Sequence, residues 1–410
     1  MTPLYTALKQ FADQNPLRMC MPGHKGKLPG CGLDFTELGP TGNLYEGGPP
    51  FEEAQALWAE QFGFSGCQFL TGGSTQGVHT ALALCCKPGD RVLLDRGCHK
   101  SAFAALALLD VEPVWLWEPA ELEEYPDVKT ICITSPTYYG EILDIQRISR
   151  IAHRNGAKLI VDGAHGAHLP FLGVDGFSGA DLVVCSAHKT LPALGQSALL
   201  FYQDFDPEEV RRRAALYGSS SPSYLMTASL DWARDWMVRR GIGEYRRVAE
   251  RIVGLRDRFP SLRTGRLDPM RLTLTSPDGS RAALELEREN IFVEMSDRGH
   301  LVLILTGLDT EEDLYKLEKS FEKIRLGDPP SLPPLPRPAR SLSQREALFA
   351  PAEFLPLEAC EGRIAAEALA PYPPGIPVVA PGERISEKEL AYFRKIGYNK
   401  ERTGVVMECS

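Results

Sequence analysis

Residues 180–202 read ADLVVCSAHKTLPALGQSALLFY. Leu182 to Cys185 form an apolar run of the kind that makes a buried strand, and a second apolar run resumes at Ser197. Between them stand Ser186, Ala187, His188 and Lys189. Lysine is among the residues least often fully buried, so a lysine at the tip of a core strand has two readings. It is a loop lysine pointing at solvent, or it sits in a cleft where burial makes its amine a nucleophile toward carbonyls. The rest of the chain has to decide.

Outward from this stretch the same pattern recurs. Candidate strands are residues 91–95, 113–117, 128–134, 158–162, 181–185 and 197–202, short and continuously apolar as strands buried on both faces should be. Between them the apolar residues take the helical period. In TQGVHTALALCC it groups Val78, Ala81, Leu82 and Cys85; in DIQRISRIAHRNG it groups Ile145, Ile148 and Ile151, with Gly156 as the C-terminal stop. The alternation predicts an α/β fold, a mainly parallel sheet with helices on both sides. Residues 205–255 turn helical and charged, residues 270–325 read as a small α+β unit, and six prolines in residues 329–338 read as a stiff linker. The expected organisation is an N-terminal arm (1–50), a major domain (51–255), a small α+β domain (256–328), the linker (329–340) and a C-terminal domain (341–410).

Composition narrows the function. Forty-five basic against 54 acidic residues give a net charge of −9 over 410 residues, with no basic stripe, which argues against nucleic acid as a partner. No run of about 18 apolar residues predicts a membrane span, and the N-terminus lacks the apolar core of a signal peptide. The ten cysteines are scattered, without disulfide framework or zinc spacing. Reduced thiols, a cytoplasmic location and no metal are therefore expected.

Four polar clusters fall at the ends of candidate strands, where open parallel sheets bind their ligands. TGGSTQG (71–77) offers Gly73 for a tight turn, and Ser74 and Thr75 at a helix start, where free N–H groups favour phosphate; an ordinary helix cap explains it equally well. DRGCHKSA (95–102) offers His99 on a loop. VDGAHGAH (161–168) puts Asp162 at the last buried position of a strand, where an unpaired carboxylate needs a cation or several donors. His165 and His168 follow it, without further ligands at metal spacing. The fourth cluster is Ser186, His188 and Lys189. A phosphate cradle, an acid in need of a cation, an aldehyde-reactive amine and a planar ring are together satisfied by one cofactor, pyridoxal phosphate.

In this order GGST, CHKS, SPTYYG, DGAHGAH, SAHK and APYPPGIPVVAPGE, preceded by MPGHKG (21–26), the chain resembles the bacterial ornithine/lysine/arginine decarboxylases, which are fold type I pyridoxal-phosphate enzymes. The resemblance spans nearly the whole chain. It implies a fold type I major domain, a small α+β domain and a C-terminal decarboxylase domain, and a homodimer or higher homo-oligomer. It implies that Lys189 joins the cofactor aldehyde as an imine, Asp162 pairs with the pyridinium nitrogen, His99 stacks on the ring and Ala164 packs on the other face. Gly73, Ser74, Thr75, Ser186 and His188 are then expected at the phosphate, with Thr137 and His165 near the cofactor. Glu383 is a candidate for the substrate entrance or for the substrate's distal cation, and His24 and Lys25 for an approach to the active site across a dimer interface. The implied reaction is α-decarboxylation of lysine, arginine or ornithine to a polyamine or its precursor. The rivals are another fold type I reaction (aminotransferase or lyase) and a cofactor-binding protein that regulates rather than catalyses. The chain departs from the family at Gly163, where an acid is common, in a shortened segment between about 255 and 335, and in the lack of the larger members' additional N-terminal domain.

Overall fold

Seven strands form one sheet: β1 (Gly66–Leu70), β2 (Arg91–Asp95), β3 (Glu112–Leu116), β4 (Thr130–Thr134), β5 (Lys158–Asp162), β6 (Leu182–Ser186) and β7 (Ala198–Tyr202). Their order across the sheet is β1-β7-β6-β5-β4-β2-β3. The pairs from β3 through β6 are parallel, and β7 runs antiparallel to both β6 and β1. The computed structural model describes residues 1–371 and 375–407, so Tyr372, Pro373 and Pro374 of the proline-rich motif and Cys409 lie outside the described residues.

Alternate residues of each strand enter different cores, which explains the uninterrupted apolar runs. Leu93, Leu159, Val161 and Val183 join the core on one face, while Val92, Leu94, Ile160, Leu182 and Val184 join the core on the other. Each such side chain contributes about 1.5–3 kcal/mol when fully buried. One face is covered by α1 (Pro3–Asp13), α2 (Phe51–Phe62), α5 (Ile145–Arg154), α8 (Tyr224–Trp236) and α9 (Ile242–Arg258); the other by α3 (Gly73–Cys85), α4 (Ser101–Leu109) and α7 (Pro207–Tyr217). Helix α5 starts where Asp144 accepts from the Arg147 N–H, and it stops before Gly156, whose φ of 67° suits glycine. A single helical turn, α6 (Ala187–Thr190), follows β6.

Six of the seven strands fall on the stretches expected from sequence; β1 does not, because Gly66 and Gln68 interrupt its apolar character, although it pairs with β7 and buries Cys67, Phe69 and Leu70. Beyond the major sheet, β8 (Arg271–Thr275), β9 (Met295–Ser296) and β10 (His300–Ile304) form a three-stranded antiparallel sheet flanked by α10 (Gly279–Glu287) and α11 (Glu311–Phe321). The C-terminal part contains α12 (Gln344–Phe349), α13 (Glu387–Ile396) and a pair of strands, β11 (Ala352–Leu355) and β12 (Thr403–Val406), around its own apolar cluster of Leu357, Leu369, Val379, Phe393 and Val405. No helix among the described residues is long and apolar enough to cross a membrane.

Candidate active site

The parallel strands β2, β5 and β6 end together, at Asp95, Asp162 and Ser186. The loops that leave these ends, with the start of α3, enclose a cavity of about 210 Å³. Ser74, His99, Thr137, Asp162, Ala164, His165 and Lys189 all line it. Lysine 189 is half-buried in the one-turn helix α6, and its pKa is lowered by burial; the carboxylates of Asp162 and Glu294 oppose that shift, and the Arg271 guanidinium adds to it. Asp162 is buried and accepts one side-chain hydrogen bond among the described residues, from the Ala164 N–H at 3.1 Å. Burial raises its pKa, against the pull of Lys189 and that N–H, and nearby Asp95 raises it further. Such a carboxylate ionises fully once a cation is placed beside it.

Histidine 99 is exposed at the cavity rim, where the crowded protein around it and the charges of Lys189 and Lys100 lower its pKa. Its Nδ1 lies 3.0 Å from the Ser101 hydroxyl, which fixes the ring. His165 is buried against Lys189, Nε2 to Nζ 3.2 Å.

The remaining expected residues sit apart from the cavity wall. Gly73 opens α3 with φ 71°, a left-handed conformation that favours glycine and turns the first N–H groups of the helix outward. Thr75 lines an adjoining groove that shares His99 and Gly375 with the cavity. Ser186 is fully buried and its hydroxyl has no partner among the described residues. The His188 Nδ1 donates to the Ser197 carbonyl at 2.9 Å. Glu383, expected at the substrate entrance, is fully buried elsewhere: it holds Arg96 through two hydrogen bonds of 2.7 and 2.8 Å and accepts from the Ala380 N–H. Its partner Arg96, 287 positions upstream, takes it into the protein. His24 and Lys25 do not line the cavity of their own subunit; they bond to Asp34 and to the Cys20 carbonyl. His168, a conceivable metal ligand, is buried against Asp268 at 2.7 Å instead.

Sequence reasoning missed four contributors. Tyr138 and Glu294 line the cavity and are joined by a 2.5 Å hydrogen bond from the phenol to the carboxylate. Thr134, on the wall, has a buried hydroxyl beside the Asp95 carboxylate. Arg271, buried behind His165, donates to it across 3.1 Å. Tyr138 stands inside the quoted SPTYYG motif and was within reach; the other three carry no local signal. Gly163 has a steric reason, since a Cβ there would lie 2.7 Å from the Phe177 ring.

An amine, a carboxylate short of a cation, free N–H groups at a helix start and the unpartnered Ser186 hydroxyl are a donor set that pyridoxal phosphate would fit, with Lys189, Asp162 and the start of α3 as the residues that would hold it. The site and the mainly parallel seven-stranded sheet define a fold type I, pyridoxal-phosphate class of protein. Residues 2–121 and 118–275 match the Orn/Lys/Arg decarboxylase major domain, and residues 336–403 match the C-terminal domain of the same family. The chain belongs to the Orn/Lys/Arg decarboxylase family. It is 34% identical to the Bacillus subtilis protein YaaO, over 96% of this chain and 94% of that one. It is 29% identical to the arginine decarboxylase of Bacillus anthracis, over 96% and 92%. Among solved structures the lysine decarboxylase LdcF of Francisella novicida superposes with a TM-score of 0.81 at 19% identity, covering 99% of this chain and 81% of that one.

Proposed function

We propose that the protein is a pyridoxal-phosphate-dependent α-decarboxylase of a basic L-amino acid, lysine, arginine or ornithine. The observation that carries this reading is the shared cavity, in which the Lys189 amine and the Asp162 carboxylate meet a second carboxylate, Glu294. Lys189 is the amine that takes the cofactor aldehyde. Asp162 would keep the ring nitrogen protonated, since a cation beside it offsets the cost of ionising a buried carboxylate. When bound, the cofactor supplies the sink for the electron pair that the departing carboxyl leaves behind.

The other residues orient and move protons. His99 and Ala164, on the cavity wall with Asp162, are the residues that would flank a flat ring. The N–H groups at the start of α3 and the Ser186 hydroxyl suit the phosphate. Lys189 and His99 are the groups positioned to hold a proton for return to the substrate α-carbon. Glu294, steadied by Tyr138, faces the same space and suits the distal cation of a basic side chain. Homodimerisation is supported by Leu17, Met19, Met21 and Leu28, apolar side chains each more than half exposed along the segment that contains His24 and Lys25.

The test is a product assay with lysine, arginine and ornithine, with and without added pyridoxal phosphate. Carbon dioxide and the matching amine from one of the three, dependent on the cofactor, are expected. Keto-acid formation would mark an aminotransferase, and a yellow protein that turns over none of the three would mark a non-catalytic binder; either overturns the proposal.

A further inference from the structure

From behind the cavity wall into the cavity, three side chains form a line. Arg271 opens β8 and is buried, and its Nη2 lies 3.1 Å from the Nδ1 of His165. The Nε2 of the same ring lies 3.2 Å from the Nζ of Lys189. Hydrogen-bond chemistry allows only one proton arrangement along this line. A guanidinium has donors and no acceptor, so Nδ1 of His165 must be the bare, accepting nitrogen. A neutral imidazole then carries its proton on Nε2, pointed at Lys189. An ammonium likewise has donors only, so it would meet that N–H donor to donor; a free amine accepts it.

We propose that Arg271 is a positioning residue that fixes the tautomer of His165 and thereby holds Lys189 as the free amine. Arginine suits this role because it stays charged at every working pH, whereas a lysine or histidine there would itself titrate. The charged groups around Lys189 divide. Asp162 at the end of β5 and Glu294 before β9 favour the ammonium; Arg271 on β8 disfavours it. His99, after β2, and His165, after β5, face it as neutral rings, each with a lowered pKa. Without the tautomer lock the two carboxylates would hold a proton on the amine, and an ammonium does not attack a carbonyl. The inference deepens the reading of Lys189 as the cofactor's amine, but concerns the protein before any cofactor or substrate is added.

The experiment uses the full chain stripped of cofactor. Acetic anhydride labels free amines, and mass spectrometry of the Lys189 peptide gives the labelling rate against pH. Arg271→Met is expected to slow labelling at pH 7.5 by about tenfold, the equivalent of one pH unit; Arg271→Lys, which keeps a donor and a cation, is expected to restore the rate to within about threefold. In the parent, ¹⁵N-histidine spectra should show the His165 Nδ1 bare and Nε2 protonated, with the signal assigned by its loss in His165→Gln. An unchanged labelling profile in Arg271→Met overturns the proposal, as does an imidazolium or the opposite tautomer in the parent. Should Arg271→Met fail to fold, the parent spectrum decides by itself. Because neither readout involves turnover, a protein that fails the decarboxylase assay can still pass here, and the reverse.

Discussion

Two buried groups of charges lie on either side of the CHKS loop, and they are built on opposite principles. Arg96 and Glu383 hold each other tightly: two hydrogen bonds between them, a third from Arg96 to the Val378 carbonyl, and a fourth from the Ala380 N–H to Glu383, with only the buried Arg96 Nε left unpartnered among the described residues. The Arg96 guanidinium also lies over the Trp115 and Trp117 rings. Across the loop, the Asp162 carboxylate has one donor, the Ala164 N–H, Lys189 has one neighbour within hydrogen-bond distance, and the Ser186 hydroxyl has none among the described residues. A buried charge matched by its opposite through paired hydrogen bonds clamps one part of a fold to another. A buried charge left short of partners, beside a cavity, is kept for a ligand.

Substitutions can break this contrast. The largest effect is expected at Lys189: Lys189→Ala abolishes the absorbance of bound cofactor and lowers turnover by more than about 10⁴-fold, while thermal unfolding of the cofactor-free protein is not lowered. Glu383→Ala inverts that outcome. It leaves Arg96 buried without its carboxylate and costs about 3–5 kcal/mol in denaturant unfolding; replacing both partners with methionine regains most of the loss in a double-mutant cycle.

Asp162→Asn comes next. Turnover falls about 10²–10⁴-fold, yet the cofactor-free protein is as stable as the parent at neutral pH or more so. The sign follows from linkage. The folded pKa of Asp162 lies above its free value of 3.8, so its contribution to stability is complete below that pH and is lost as pH rises through the folded pKa. Unfolding curves of parent and Asp162→Asn should therefore converge toward acid and part above it. Smallest is Tyr138→Phe, which frees Glu294 from one hydrogen bond; a rise in KM of about fivefold with kcat little changed is expected.

The two groups also differ in how far sequence alone reveals them. Lys189 and Asp162 could be read because each ends an apolar run, and polar residues at that register of a parallel sheet face the binding edge. The same logic located six strands and the helices between them. The Arg96–Glu383 clamp was opaque, because Arg96 stands inside a motif read for His99, and Glu383 reaches it from the C-terminal part. Arg271 and Glu294 were equally hidden. They come from the small sheet, roughly a hundred residues downstream of Lys189, and only tertiary packing brings them to His165 and Tyr138. Strand β1 escaped because Gly66 and Gln68 break its apolar run, although its other side chains are buried and it pairs with β7.

The central claim is that the unsaturated group exists to hold a cofactor through one amine. Loading the protein with pyridoxal phosphate, reducing it with sodium borohydride and mapping the digest by mass spectrometry tests this directly. The expected result is a pyridoxyl-phosphate mass increment on the peptide containing Lys189, absent from the Asp162 and Glu383 peptides. An increment confined to any other lysine, or none at all, would contradict it.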